Sequence, residues 1–309
     1  FKTKIIISAS IRPSNMLTKQ QVEQYHAEGA IVVPGVMDKA CVHEMNTVLA
    51  QLVEESRQVS SHNDIYDLEP GHTADEPRVR RIKKPHLVHP VFHDFARSTR
   101  LTACLHALLG DAARLYGTKL NLKSPGYGSA VEWHQDWAFY PHTNQDVLAV
   151  GVMLNDTTTS NGAMLVIPGT HTGPTFDHHD AEGYFCGAMD PEDCGLDFST
   201  AVACEGPAGS CSFHHVRLVH GSAQNISDKP RGLLLYEVAA ADAYPLMGIA
   251  HAYGNYEAYN ERLLYGSPTV TPRFDAVAAP VRMPLPPAKN QGSIYENQLS
   301  GKSFFSKRI

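Results

Sequence analysis

Apolar and polar positions alternate in two different ways along this chain, and the change comes near residue 114. Before it the spacing is helical. Thr18 can cap a helix whose third position is Gln21, and Gly29 offers a stop. A short apolar run at 30–33 ends at Pro34-Gly35 and predicts a strand. Asp38 can cap a second helix that sets Val42, Met45, Leu49, Leu52 and Val53 on one face. Residues 60–76 are polar and turn-rich and predict a loop. A basic cluster at 78–84 then leads into a helix over about 92–109, ended by Gly110.

From 114 onward the pattern is one of short strands. In 116–123, Lys119 and Asn121 alternate with Leu120 and Leu122. The continuous apolar run at 146–154 predicts a buried strand. Asn161-Gly162 signals a hairpin turn into a strand at 163–167. Two further strands are predicted at 210–220 and 232–239. Helices first and antiparallel strands after them predict an α+β fold. Its core is expected to be a sandwich or a jelly roll, the latter a double-stranded β-helix with flanking N-terminal helices. One domain is expected over 1–309: helical support at 17–110, the core at 114–240, and a Pro-rich extended arm at 272–309.

Composition narrows the function. With 43% apolar and 19% charged residues in 309, the chain reads as a globular protein. A net charge of −6 argues against a nucleic-acid partner. The apolar run at 5–7 is too short for a leader or a span, so no membrane partner is expected. The six cysteines contain no CxxC pair, and a cytoplasmic location with reduced thiols is expected.

The candidate chemistry begins at Trp133-His134-Gln135-Asp136. In an extended segment, i and i+2 share a face, so His134 and Asp136 can reach one metal while Gln135 points away. His220, at the end of a predicted strand, can supply a third ligand. Two histidines and one carboxylate on one face of an ion form the facial triad of non-haem Fe(II) oxygenases. Arg231 lies eleven residues after His220, past a turn at 225–230. If the two strands form a hairpin, Arg231 points into the same cavity, where its guanidinium can clamp the carboxylate of a 2-oxo acid. Ser222 can add a hydroxyl. The paired histidines His214-His215 and His178-His179 read as a polar strand face and a surface loop.

The blocks His134-x-Asp136, then 161–171 (NGAMLVIPGTH), then His220-Gly-Ser and Arg231, in that order, resemble the phytanoyl-CoA dioxygenase family. The resemblance runs from about 17 to 238. It implies an Fe(II)- and 2-oxoglutarate-dependent dioxygenase that uses O2, hydroxylates a small organic substrate and releases succinate and CO2. It implies iron on His134, Asp136 and His220, with Arg231 and Ser222 on the distal carboxylate of 2-oxoglutarate. Lys119 or Asn121 could line the co-substrate site, and one residue of the 78–84 cluster could meet an anionic substrate. Gly151 stands where the family enzyme acting on phytanoyl-CoA resembles a Trp position. The alternatives are a non-oxidative cupin-like metal enzyme and a non-catalytic binding protein on the same barrel. A halogenase is disfavoured because Asp136 occupies the position that chloride would need.

Overall fold

The structure, a computed structural model, describes residues 16–249, 253–284 and 294–305. Two helices frame its N-terminal part. Helix α1 (Lys19–Glu28) starts at a capping box made by Thr18 and Gln21, and Gly29 closes it at φ 83°. Strand β1 (Ala30–Val33) follows, then α2 (Lys39–Glu55) with Asp38 accepting from the Cys41 amide. The polar stretch at 60–76 is not wholly a loop. It holds β2 (Tyr66–Leu68), which pairs with β3 (Val79–Lys83), the strand made from the basic cluster. After α3 (Pro85–Val88), the helix expected over 92–109 is two, α4 (Pro90–Ala96) and α5 (Thr99–Leu109). The break falls at Ser98, whose backbone is extended so that its hydroxyl can accept from the Leu101 amide.

Strands β4 (Ala113–Lys123), β5 (Val131–His134), β6 (Val147–Met153), β7 (Met164–Val166), β8 (Val202–Cys204), β9 (Cys211–His215), β10 (His220–Ser222), β11 (Arg231–Ala240) and β12 (Leu263–Tyr265) complete the sheets. One sheet runs β1-β9-β6-β11-β4-β3-β2, with β12 also on β4; the other runs β5-β10-β7-β8. Every pairing is antiparallel. This is the jelly-roll arrangement expected, with both sheets left open at their edges.

Two further boundaries differ from the sequence reading. Residues 210–220 are not one strand: β9 belongs to the large sheet and β10 to the small one. The chain changes sheet in the turn closed by the Leu218 amide on His215 O. Asn161-Gly162 does not join a hairpin, since β6 and β7 lie in different sheets. It forms a short 3-10 turn, with Gly162 at φ 84°. Of the expected arm, the described parts are irregular apart from helical turns at 294–300; the rest lies outside the described residues.

The alternation in the strands splits the core in two. Even-numbered side chains Leu120, Leu234, Tyr236 and Val238 pack outward against the helices, with Phe92, Leu101 and Leu105. Odd-numbered Leu233 and Leu235 face Met164 and Val166 across the gap between the sheets. Lys119, Asn121 and Lys123 share the parity of that inner face, and this gap holds the polar residues of interest.

Candidate active site

His134 and His220 are opposed residues in the β5–β10 ladder, with ring centroids 4.1 Å apart. Each ring is oriented from behind. His134 Nδ1 donates to Glu132 O at 2.8 Å and His220 Nδ1 to Leu218 O at 2.9 Å, which leaves both Nε2 atoms to face the gap. Strand β5 ends at His134, so Asp136 is not on a strand face. It opens a 3-10 turn that brings its Oδ1 to 3.8 Å from His134 Nε2. One ligand atom from each of the three residues lies within 4.8 Å of the others, and all three residues are buried. Gln135 points away, as expected, and donates to the carbonyls of Pro174 and Arg217.

Charge at this point is organised around Asp136. Burial alone would raise its carboxyl, but Lys119, His214 and His220 together hold it well below the usual carboxylate range. Burial, reinforced by the neighbouring histidine, depresses both His134 and His220, the latter to about 4. The triad therefore presents one anionic and two neutral ligands, the protonation state that a divalent metal requires.

A cavity of about 40 Å³ lies beside the triad. Its wall includes Arg81, Lys119, Asn121, His214, Ser222 and Arg231. Arg231 reaches it by another route than a hairpin with His220. Strand β11 lies in the large sheet between β4 and β6, and faces β10 across the gap. Arg231 is buried and donates one Nη2 bond to Gly162 O at 2.7 Å; among the described residues its Nε and Nη1 have no partner. Burial lowers its pKa to about 10. Ser222 Oγ accepts from Lys123 Nζ at 2.9 Å. Asn121 Oδ1 accepts from Arg81 Nε at 2.9 Å, and Lys119 pairs with Glu237 at 3.1 Å.

Of the basic cluster, Arg81 faces the cavity. Arg78 pairs with Glu76, Arg80 with Asp67, and Lys83 donates to Asn63 O. Three residues escaped the sequence reading. Lys123 continues the 119–121 alternation, which was the available signal. His214 is no polar strand face but a buried wall of the cavity, its Nε2 3.5 Å from Asp136 Oδ2 and its Nδ1 unpartnered. Its sheet position put it there, and no local pattern marks it. His178 is not on the surface either; its buried Nε2 accepts from the Gln135 amide at 2.9 Å. Trp133 packs among Phe198, Phe304 and Phe305, and Trp137 donates to Pro280 O, so both belong to the packing rather than the cavity wall.

The donor set fits iron(II): two fixed imidazole Nε2 atoms, one carboxylate, and open space on the far side. The comparisons with known proteins agree. The sequence profile of the phytanoyl-CoA dioxygenase (PhyH) family matches residues 25–233. The chain belongs to that family. It is similar to the probable alpha-ketoglutarate-dependent hypophosphite dioxygenase of Stutzerimonas stutzeri, 38% identical over 260 residues that cover 81% of this chain and 88% of the relative. It is 26% identical over 240 residues to the ectoine dioxygenase of Bordetella bronchiseptica, covering 71% of this chain and 74% of that one. Among solved structures, EctD from S. alaskensis with 2-oxoglutarate and 5-hydroxyectoine superposes at TM-score 0.61 and 24% identity, over 76% of this chain and 79% of that one. The epimerase SnoN in complex with Fe3+, alpha ketoglutarate and nogalamycin RO gives TM-score 0.61 and 24% identity, over 82% and 95%. This PhyH-family protein is an iron(II)- and 2-oxoglutarate-dependent dioxygenase of small molecules. At Gly151 an added Cβ would lie 2.5 Å from Ser212 Oγ, so a larger residue there requires Ser212 to shift. Among the described residues no helix is long and apolar enough to cross a membrane.

Proposed function

We propose that this dioxygenase hydroxylates a small monoanion, a reduced-phosphorus oxyanion of the hypophosphite class. The carrying observation is the charge of the cavity. Arg81, Lys119 and Arg231 stand against Asp136 in its wall, and Glu237 offsets Lys119 from behind. Iron(II) adds two positive charges and 2-oxoglutarate removes two. One positive charge remains for the substrate. The cavity is also small for a co-substrate and a second molecule together, which favours a substrate of few atoms.

In this reading His134, Asp136 and His220 hold the iron. Arg231 and Ser222 hold the distal carboxylate of 2-oxoglutarate, while Lys119 and Asn121 line its bed. The bound iron supplies dioxygen activation coupled to decarboxylation of 2-oxoglutarate to succinate and CO2. The chain's own residues do the positioning. Val131, Leu233 and Leu235 keep the cavity dry, and Lys119 steadies the Asp136 carboxylate. One oxygen atom of O2 ends in succinate; the other enters a P–H bond, so hypophosphite becomes phosphite.

The test is incubation with iron(II), 2-oxoglutarate and hypophosphite, read by phosphorus NMR and by succinate. Phosphite formed in proportion to succinate is expected. Absence of phosphite, with ectoine or L-proline raising succinate above the substrate-free level, would overturn the substrate assignment and leave the dioxygenase chemistry standing.

A further inference from the structure

The part of the chain beyond the family match returns to the cavity. Residues 294–297 form a helical turn, and Ile294 and Tyr295 close the wall that Arg81, Asn121 and Arg231 begin. Tyr295 is 5% exposed, and among the described residues its hydroxyl has no hydrogen-bond partner. Buried hydroxyls ordinarily have one, so an orphan calls for an explanation. The neighbouring donors are orphaned as well: Arg231 Nε and Nη1, and Arg81 Nη2. Three side chains from three distant parts of the sequence thus bring unpaired donors to one cavity.

The ring is held firmly enough to aim the hydroxyl. The Arg80 guanidinium lies 4.6 Å and the Arg81 guanidinium 5.1 Å from its centroid. The segment that carries it is tied to β5, next to the metal ligands. Gln298 accepts from the Glu132 amide at 2.9 Å and donates to Gly187 O at 2.8 Å. The Phe304 amide donates to Glu132 Oε2 at 2.9 Å, and Phe305 stacks on Trp133. Burial raises the Tyr295 phenol, with Arg81 and Arg231 pulling the other way, so at neutral pH it is a donor.

We infer that Tyr295 is a further ligand of the co-substrate: its hydroxyl donates to the distal carboxylate of 2-oxoglutarate beside Arg231. The C-terminal segment therefore completes the co-substrate site. This rests on the reading that Arg231 clamps that carboxylate. A dianion bound there would satisfy the orphaned donors of Arg231 and Tyr295 together, which a neutral ligand could not do as well.

The experiment is an anaerobic titration of 2-oxoglutarate into the iron(II) protein, followed by its charge-transfer absorption. Tyr295→Phe keeps the ring under both guanidinium groups and removes only the hydroxyl. The Kd for 2-oxoglutarate should rise about ten-fold, the range of a hydrogen bond to a charged group. Iron content and the KM for substrate should stay at parent values. Arg231→Lys is run beside it. If Arg231→Lys weakens 2-oxoglutarate and Tyr295→Phe does not, this inference fails while the clamp stands. If neither does, the clamp reading itself fails. A change in substrate KM with unchanged 2-oxoglutarate Kd would make Tyr295 a substrate contact and also overturn the inference. As a second variant, Gln298→Ala loosens the segment without touching the cavity. It should raise the Kd as far as Tyr295→Phe, and combining the two should add nothing; additive losses would count against the inference.

Discussion

Lys123 and Arg231 sit opposite one another in the β4–β11 ladder, both buried, and among the described residues neither is bonded to a carboxylate. Two neighbouring cations inside a protein are costly unless one gives up its charge. Lys123 is the one that yields. Burial first, and Arg231 second, push its ammonium well below the usual lysine range. The two N–H groups of the neutral amine reach Ser222 Oγ and the Ala223 carbonyl, so Lys123 fixes the hydroxyl beside the proposed clamp.

That depressed value has a sign in stability. Between the lowered folded value and about 10.4 the unfolded chain binds the proton and the folded chain does not, so stability rises with pH over this window. Lys123→Met removes the dependence. Its melting temperature relative to the parent should fall as the pH rises toward 9. A difference that stays flat across calorimetric scans in that range would mean that Lys123 is charged in the folded protein.

Arg231→Lys keeps the charge but loses the two-pronged fork. The lost charge-assisted hydrogen bond is worth about 1.5–3 kcal/mol, roughly 10- to 150-fold in 2-oxoglutarate affinity. Arg231→Ala should cost more. Iron content, measured after desalting, should barely change in either variant, because Arg231 bonds to Gly162 O and to no triad residue.

His134→Ala, Asp136→Ala and His220→Ala should each abolish turnover and lower bound iron, since each removes one of the three proposed protein ligands. Asp136→Gly should keep part of the iron and 2-oxoglutarate binding but lose hydroxylation. Full hydroxylation in any of these variants, measured as succinate coupled to product, would remove that residue from the ligand set.

His214→Phe should weaken iron binding about 10- to 100-fold, the usual cost of losing a group that orients a ligand. The contact at stake is His214 Nε2 to Asp136 Oδ2 at 3.5 Å. His214→Asn can still donate and should retain most of the affinity. Competition with a chromophoric chelator separates the two outcomes, and equal affinities would make His214 a packing residue only.

The caps at Thr18, Asp38 and Gly29, the alternation through Lys119 and Asn121, and the order of the His134, Asp136, His220 and Arg231 blocks were all legible in the sequence. Each depends on contacts within a few residues or on a spacing that the chemistry itself demands. The break at Ser98 and the strand β2 were not legible, because both are decided by what the segment packs against. The route of Arg231 into the cavity was misread for a related reason. A turn between two strands looks the same whether they pair with each other or cross from one sheet to the other.

The chemistry is written in the order of the residues: two imidazoles, a carboxylate and a guanidinium at intervals that suit a facial-triad iron and a 2-oxo acid. Local periodicity and residue type carry that much. The neighbours of these groups come from the way the sheets pack. His214 meets Asp136 because the turn that Asp136 opens is bonded, through the Trp137 amide and Val216 O, to the chain just past β9, and Lys123 meets Ser222 because β4 and β10 face each other across the gap. Tyr295 meets Arg231 because Glu132 and Gln298, 166 residues apart, are hydrogen-bonded. Such long-range neighbours follow from the burial of the whole core, a property of the assembled sheets that no window of the sequence contains.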